Sequence, residues 1–478
     1  MAGNVIAGSG TIGTVSLNAA GAIIENTGTL TGSGVTLVSN AGNVGASGNA
    51  INTAASTLSV TSAGNAYISN NGTVSLTGSN ITVGSGDTLS LATTSGNINI
   101  AGNVGSGSSI SNIILSAASA ITETTGTLTA ANITLSSGSG DIGTNGAAVT
   151  TAASNLSINS GGNAYVSNAG TVSLTSGSAA SGDTFSLVTT NSGNIAVAGN
   201  VTATSGTIAL NAAGAITETT GTLTSGTVNL TSGSGNIGAN GNAINTAASN
   251  FSINSNGSAY ISNNGSVTLT GSNFNVGSGD ILSIATTSGS IAVDGNVGSG
   301  SIGSIILNAA NAITETTGTL TATNITLTSG TGDIGAIGAA INTGTANLSV
   351  TSAGNTYISN NASIVLTGST IAVGSGDTLS LATTSGNIGI NGNVGGSSSI
   401  GTIALNAANA IIEVSGTLTA TNVNLASGTS SIGSSGSGNA INTAATNLSV
   451  NSGTNAYVSN AGSTSLTSSS AGSATYLI

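Results

Sequence analysis

Twelve carboxylates are the only side chains here that ionise near neutral pH, because the 478-residue chain contains no Lys, Arg, His or Cys. Their spacing admits two chemistries. Glu123 and Asp141, and again Glu315 and Asp333, lie 18 residues apart. If one structural layer consumes about that many residues, each pair could stack and hold a calcium ion with nearby carbonyl oxygens. Glu123 and Asp141 could also supply the two carboxyl groups of a glycoside hydrolase.

Neither chemistry is well supported. The positions that match Asp141 elsewhere hold Asn43, Asn236 and Ser431. A required metal ligand is not exchanged for a hydroxyl, whereas an outward turn position tolerates the change. The glycine-rich calcium nonapeptide with regularly spaced Asp is absent. No Trp stands ready to stack on a sugar, and without His, Lys or Cys a nucleophile–base pair cannot be assembled. The expectation is a chain with no catalytic residues and no cofactor, whose only calcium candidates are the disfavoured Glu123, Asp141, Glu315 and Asp333. A second periodic set is aromatic. Tyr67, Tyr165, Tyr260, Tyr357 and Tyr457 each sit in an Ala/Thr-Tyr-Ile/Val-Ser-Asn context. Strand alternation puts Ala66 and Ile68 on one face and Tyr67 on the other. A row of outward Tyr could stack on sugars or on partner proteins, or simply cover a corner of the fold.

The elements that would carry these residues follow from an internal repeat. Ala2-Gly3-Asn4-Val5 returns from Ala101, Ala198, Asp294 and Asn391, at spacings of 99, 97, 96 and 97 residues. Five copies result, at 2–100, 101–197, 198–293, 294–390 and 391–478. Within the third, alternating strands centre on Ile208/Leu210, Val228/Leu230, Phe251/Ile253, Val267/Leu269 and Leu282/Ile284, and the fourth opens at Ile305/Leu307. The steps between second members are 20, 23, 16, 15 and 23 residues. Apolar residues alternate with Ser, Thr, Ala or Asn, Gly- and Asn-rich stretches separate them, and no helical period exists. A mean step near 19 residues suits one coil of a parallel β-helix, with Ile, Val and Leu stacked inside. The expected fold is therefore all-β: a single continuous, rod-shaped β-solenoid of about 24 coils, five coils to each repeat.

Composition agrees and narrows the partners. The chain has 74 Gly, no Pro and no Trp; 38 % of its residues are apolar and 3 % charged. A formal net charge of −12 with no cationic side chain leaves nothing to neutralise phosphate, which excludes nucleic acid and anionic membrane surfaces. No apolar run is long enough to span a bilayer. The N-terminus has no signal-peptide pattern, so the expectation is a fragment whose export signal lies elsewhere.

Segments such as Gly206-Thr207-Ile208-Ala209-Leu210-Asn211-Ala212-Ala213-Gly214-Ala215-Ile216 resemble the repeats of filamentous-haemagglutinin-like exoproteins, the passengers of two-partner secretion and autotransporter systems in Gram-negative bacteria. The resemblance implies a right-handed parallel β-helix exported to the cell surface, with an adhesive or stalk role. Its partners would be host or neighbour cell-surface glycans or proteins. The competing expectation is a self-assembling extracellular filament or surface-layer subunit that stacks end to end through uncapped coils. Ice binding is disfavoured, because Thr127-Leu128-Thr129 recurs only once per repeat, at Thr222 and Thr319.

Overall fold

The computed structural model describes every residue except 8–12, 106–108, 397–398, 436–437, 473–475 and 478, and gives the backbone alone at 78–80, 272 and 476–477. Among the described residues there is no α-helix; one 3-10 turn, Gly271–Asn273, interrupts a succession of short strands. All strand ladders are parallel, and the fold is a β-solenoid of about 20 turns. Contacts divide the chain into two compact units, Met1–Ile237 and Gly238–Ile478.

Inside the first unit, Val15, Val35, Leu58, Leu76 and Ile100 stack one turn upon the next. All five are buried. Each strand presents its apolar residues inward at every second position, so the patterns read buried–intermediate–buried, as in Ala66–Asn71 and Ile98–Ala101. The second unit is built alike: Ile261, Ile284, Leu307, Leu327, Val350 and Ile371 form one continuous column.

The turns are longer than the spacing of sequence strands suggests, and the repeat does not close on a whole number of them. Leu210 does pair with Leu230, and Ile284 with Leu307. Ile253, however, pairs with Phe274, Leu269 with Val293, and Ile284 with Ile261 on the tyrosine strand Ala259–Asn264. Strands read as successive coils thus lie on different sides of one coil, which is why the turns number about 20 rather than about 24.

The consequence is a phase shift. Leu58 belongs to the Val15–Ile100 column, but its counterpart Leu156 belongs to another, through Ile113, Ile133, Leu156, Leu174 and Val197. The two columns interleave. Steps of 17 to 25 residues put about four and a half turns in each repeat. Within each unit, equivalent residues of consecutive repeats therefore emerge on opposite sides of the coil, instead of stacking five coils apart.

Candidate functional site

One cluster recurs along the chain: a strand with a buried or half-buried carboxylate, a projecting hairpin, described whole in the first four repeats, and a tyrosine strand. In the first repeat the chain leaves the coil at Gly45 and turns through Ser47 and Gly48. Ala46 N–H donates to the Asn49 carbonyl at 3.0 Å and Asn49 N–H to the Ala46 carbonyl at 2.9 Å. The chain rejoins the ladder at Ile51, which pairs with Ile68. The same two-residue hairpin forms between Thr144 and Ala147, Ala239 and Asn242, and Ala336 and Ala339.

Glutamate holds the returning chain. Glu25, only 2 % exposed, accepts from Asn52 N at 2.8 Å and from Asn52 Nδ2 at 2.7 Å, while Asn49 Nδ2 donates to the Glu25 carbonyl at 2.7 Å. Glu315 repeats the clamp on Asn342, and Glu413 on Asn442. Glu123 accepts from Thr150 N at 2.8 Å, with a hydroxyl in place of the amide side chain. Burial raises the carboxyl pKa of Glu123, Glu315 and Glu413, and the hydrogen bonds from Thr150, Asn342 and Asn442 offset that only in part.

The aspartates serve a different turn. Asp141 Oδ1 accepts from Asn163 N at 2.7 Å, and Asp333 Oδ1 from Asn355 N at 2.7 Å. Asn43 does the same for Asn65 N at 2.9 Å, and Ser431 meets Thr454 at 2.8 Å. Asp and Asn thus take the same backbone N–H, whereas Ser431 bonds a neighbouring hydroxyl instead. Glu123 and Asp141 do lie on neighbouring turns. Because Ile121 pairs with Ile142, they are three register positions apart, about 10 Å along the strand. Glu315 and Asp333 are offset in the same way through Ile313 and Ile334. Among the described residues no three His, Cys, Asp or Glu side chains gather as metal ligands would.

Tyr67, Tyr165, Tyr260, Tyr357 and Tyr457 all point outward and are half-buried, flanked by buried residues on either side. The tyrosine strand stacks on the residues that lead into the hairpin: Tyr67 N–H donates to the Val44 carbonyl at 2.8 Å and Tyr165 N–H to the Ile142 carbonyl at 2.7 Å. The next turn carries short side chains opposite the ring and its outward neighbour: Ser90 and Ala92 over Tyr67 and Ser69, Ser186 and Val188 over Tyr165 and Ser167, Ser283 and Ala285 over Tyr260 and Ser262. The resulting trough in the third repeat has a volume of about 340 Å³, walled by the 239–243 hairpin. Its groups are hydroxyls, amides and one aromatic ring. In the second unit, Tyr260 and Tyr457 face the same side, about nine turns or 43 Å apart, and Tyr357 faces the other.

Sequence reasoning overlooked the Asn that closes each tyrosine motif. Asn70 is fully buried and uses its whole side chain. Its Oδ1 accepts from Thr53 Oγ1 at 2.8 Å and Ala55 N at 2.9 Å; its Nδ2 donates to the Ala55 and Gly72 carbonyls at 3.1 and 3.0 Å. Asn168, Asn263, Asn360 and Asn460 repeat the arrangement. The available signal was alternation itself: Ala66, Ile68 and Asn70 share the inward parity, so a polar residue there must be fully paired.

No protein family, curated protein or solved structure matches this chain. Among the described residues no helix is long and apolar enough to cross a membrane. Chemically, the carboxylates of the cluster act as acceptors for backbone and amide groups of the following turn.

Proposed function

We propose that this chain is a structural and adhesive stalk segment of a secreted bacterial cell-surface exoprotein of the filamentous-haemagglutinin-like kind, and that it is not an enzyme. The observation that carries the reading is the fate of the recurring Glu. In four of the five repeats its carboxylate accepts from the backbone of the returning hairpin, so the one carboxylate position common to all repeats is engaged in holding the coil. What the repeats offer outward is the tyrosine trough, which within each unit faces opposite sides in consecutive repeats. That arrangement suits contact with glycans or proteins of a host or neighbouring cell, at the surface of a Gram-negative bacterium. The absence of Lys and Arg also leaves trypsin no cleavage site, an asset for an exposed protein.

The test has two parts. Antibodies to the chain should label intact producing cells; labelling only after permeabilisation would overturn the surface assignment. Beads coated with the chain should adhere to cells, and adhesion should fall when all five Tyr are changed to Ala.

A second reading, lateral or end-to-end self-association into filaments, is favoured by one apolar stripe. Val365 stacks through Gly389 on Ile412, and these two side chains are 38 % and 44 % exposed, with Val414 beside them at 67 %. Sedimentation that is independent of concentration would remove this reading.

A further inference from the structure

Six Asn-Gly pairs occur, at Asn71, Asn145, Asn240, Asn256, Asn264 and Asn391. The dipeptide carries a latent reaction. The glycine backbone nitrogen can attack the Asn Cγ, expelling ammonia and closing a five-membered succinimide. Water then opens the ring to Asp or isoaspartate, so the net change is Asn plus water to a carboxylate plus ammonia. The attack needs a glycine nitrogen free of other duties and an Asn whose backbone and side chain can rotate towards it. Extended, ladder-bonded backbone denies both.

The fold divides the six unequally. Asn71 ends the strand Ala66–Asn71, pairs with Ser95, and its Oδ1 accepts from Thr94 and Ser95 hydroxyls at 3.2 and 3.1 Å. Asn264 ends Ala259–Asn264 and is held by Ser288 at 3.0 Å. Asn391 is held by Ser415 at 3.0 Å, and Gly392 N–H donates to the Ser415 carbonyl at 2.7 Å. Asn256 has bonds of its own.

Asn145 and Asn240 differ in each respect. They sit at the tips of the Thr144–Ala147 and Ala239–Asn242 hairpins, outside every strand, with exposed side chains. The hairpin bonds join only the flanking residues, so among the described residues nothing occupies the nitrogens of Gly146 and Gly241 or the two Asn amides. Both glycines have positive φ, 99° and 80°, a conformation a tip can exchange for others without breaking a ladder bond.

We infer that Asn145 and Asn240 are sites of spontaneous, water-dependent conversion to Asp and isoaspartate in the folded protein. Each event adds a negative charge to a chain already at −12, on the rim of the hairpin beside the tyrosine trough. The corresponding tips in the first and fourth repeats, Ser47 and Ile337, cannot react, so the modification marks only the second and third. This inference is independent of the proposed function.

The experiment ages the folded chain in mildly alkaline buffer, then unfolds it and cleaves after Glu. Fragments 124–218 and 26–123 contain Asn145 and Asn71 respectively as their only Asn-Gly pair, and 316–413 contains only Asn391. The 124–218 fragment should gain about 1 Da, with a substrate for isoaspartyl methyltransferase, at least about tenfold faster than the other two. Within 219–315, tandem mass spectrometry should place the change at Asn240 rather than Asn264. A chain aged in denaturant should convert all sites at comparable rates. Equal rates in the folded chain, or faster change at Asn71 or Asn391, would overturn the inference.

Discussion

Glu25 and Asn52, 27 residues apart in the chain, meet through both carboxylate oxygens, at 2.8 Å to the backbone nitrogen and 2.7 Å to the side-chain amide. This contact closes the base of the projecting hairpin. At Glu123 the second bond has no amide donor, because Thr150 stands where Asn52 does. Thr150→Asn is therefore expected to stabilise the second repeat by about 1 kcal/mol. Slower hydrogen exchange in Val149–Asn159 would register it; unchanged or faster exchange would show that the amide adds nothing.

Acid should not unfold this protein in the usual way. The carboxyls of Glu123, Glu315 and Glu413 are raised above the ordinary value near 4.5, chiefly by burial. A raised folded pKa means that the native state binds the proton more tightly than the unfolded chain. The contribution of these groups to stability is thus complete below about pH 4.5 and fades as pH rises through their raised values. With no cationic side chain, acid has no side-chain ion pair to break. The urea midpoint at pH 4 is expected to equal or exceed that at pH 7; a steady fall over that range would contradict the assignment.

Asn70→Ala should be among the most damaging single changes. It leaves Thr53 Oγ1, the Ala55 amide and carbonyl, and the Gly72 carbonyl without their partner, at a cost of about 2–4 kcal/mol. Ser69→Ala, one residue away and facing outward, should cost less than about 0.5 kcal/mol. Denaturant unfolding of the two variants gives the comparison.

The hairpin glycines can be ranked. Gly45 and Gly48 both have positive φ, at 69° and 82°, so Ala at either is strained by about 1 kcal/mol. A Cβ on Gly45 would also lie 2.5 Å from the Tyr67 carbonyl oxygen, whereas one on Gly48 meets nothing within 4 Å. Gly45→Ala should lower stability clearly more than Gly48→Ala, and equal effects in the same unfolding assay would refute the close approach.

Strand identity and the inward residues were legible in the sequence, because period-two alternation is a local property. Ala66 and Ile68 inside, Tyr67 outside, required nothing beyond neighbours in the chain. The outward Asn/Asp/Ser turn position could also be read from the exchange at Asn43, Asp141, Asn236, Asp333 and Ser431.

Which strand lies under which was decided only by the tertiary structure. The number of residues per turn depends on how much chain each corner and hairpin absorbs, and that varies from 17 between Ile51 and Ile68 to 25 between Leu425 and Val450. Small differences accumulate over a repeat into half a turn, so Ile284 stacks on Ile261 rather than on Leu269. The same accumulation sends Tyr260 and Tyr357 to opposite sides and keeps Glu123 and Asp141 apart. Asn70, polar yet inward, was likewise placed by packing: only a closed coil brings Thr53 and Ala55 within reach of its amide.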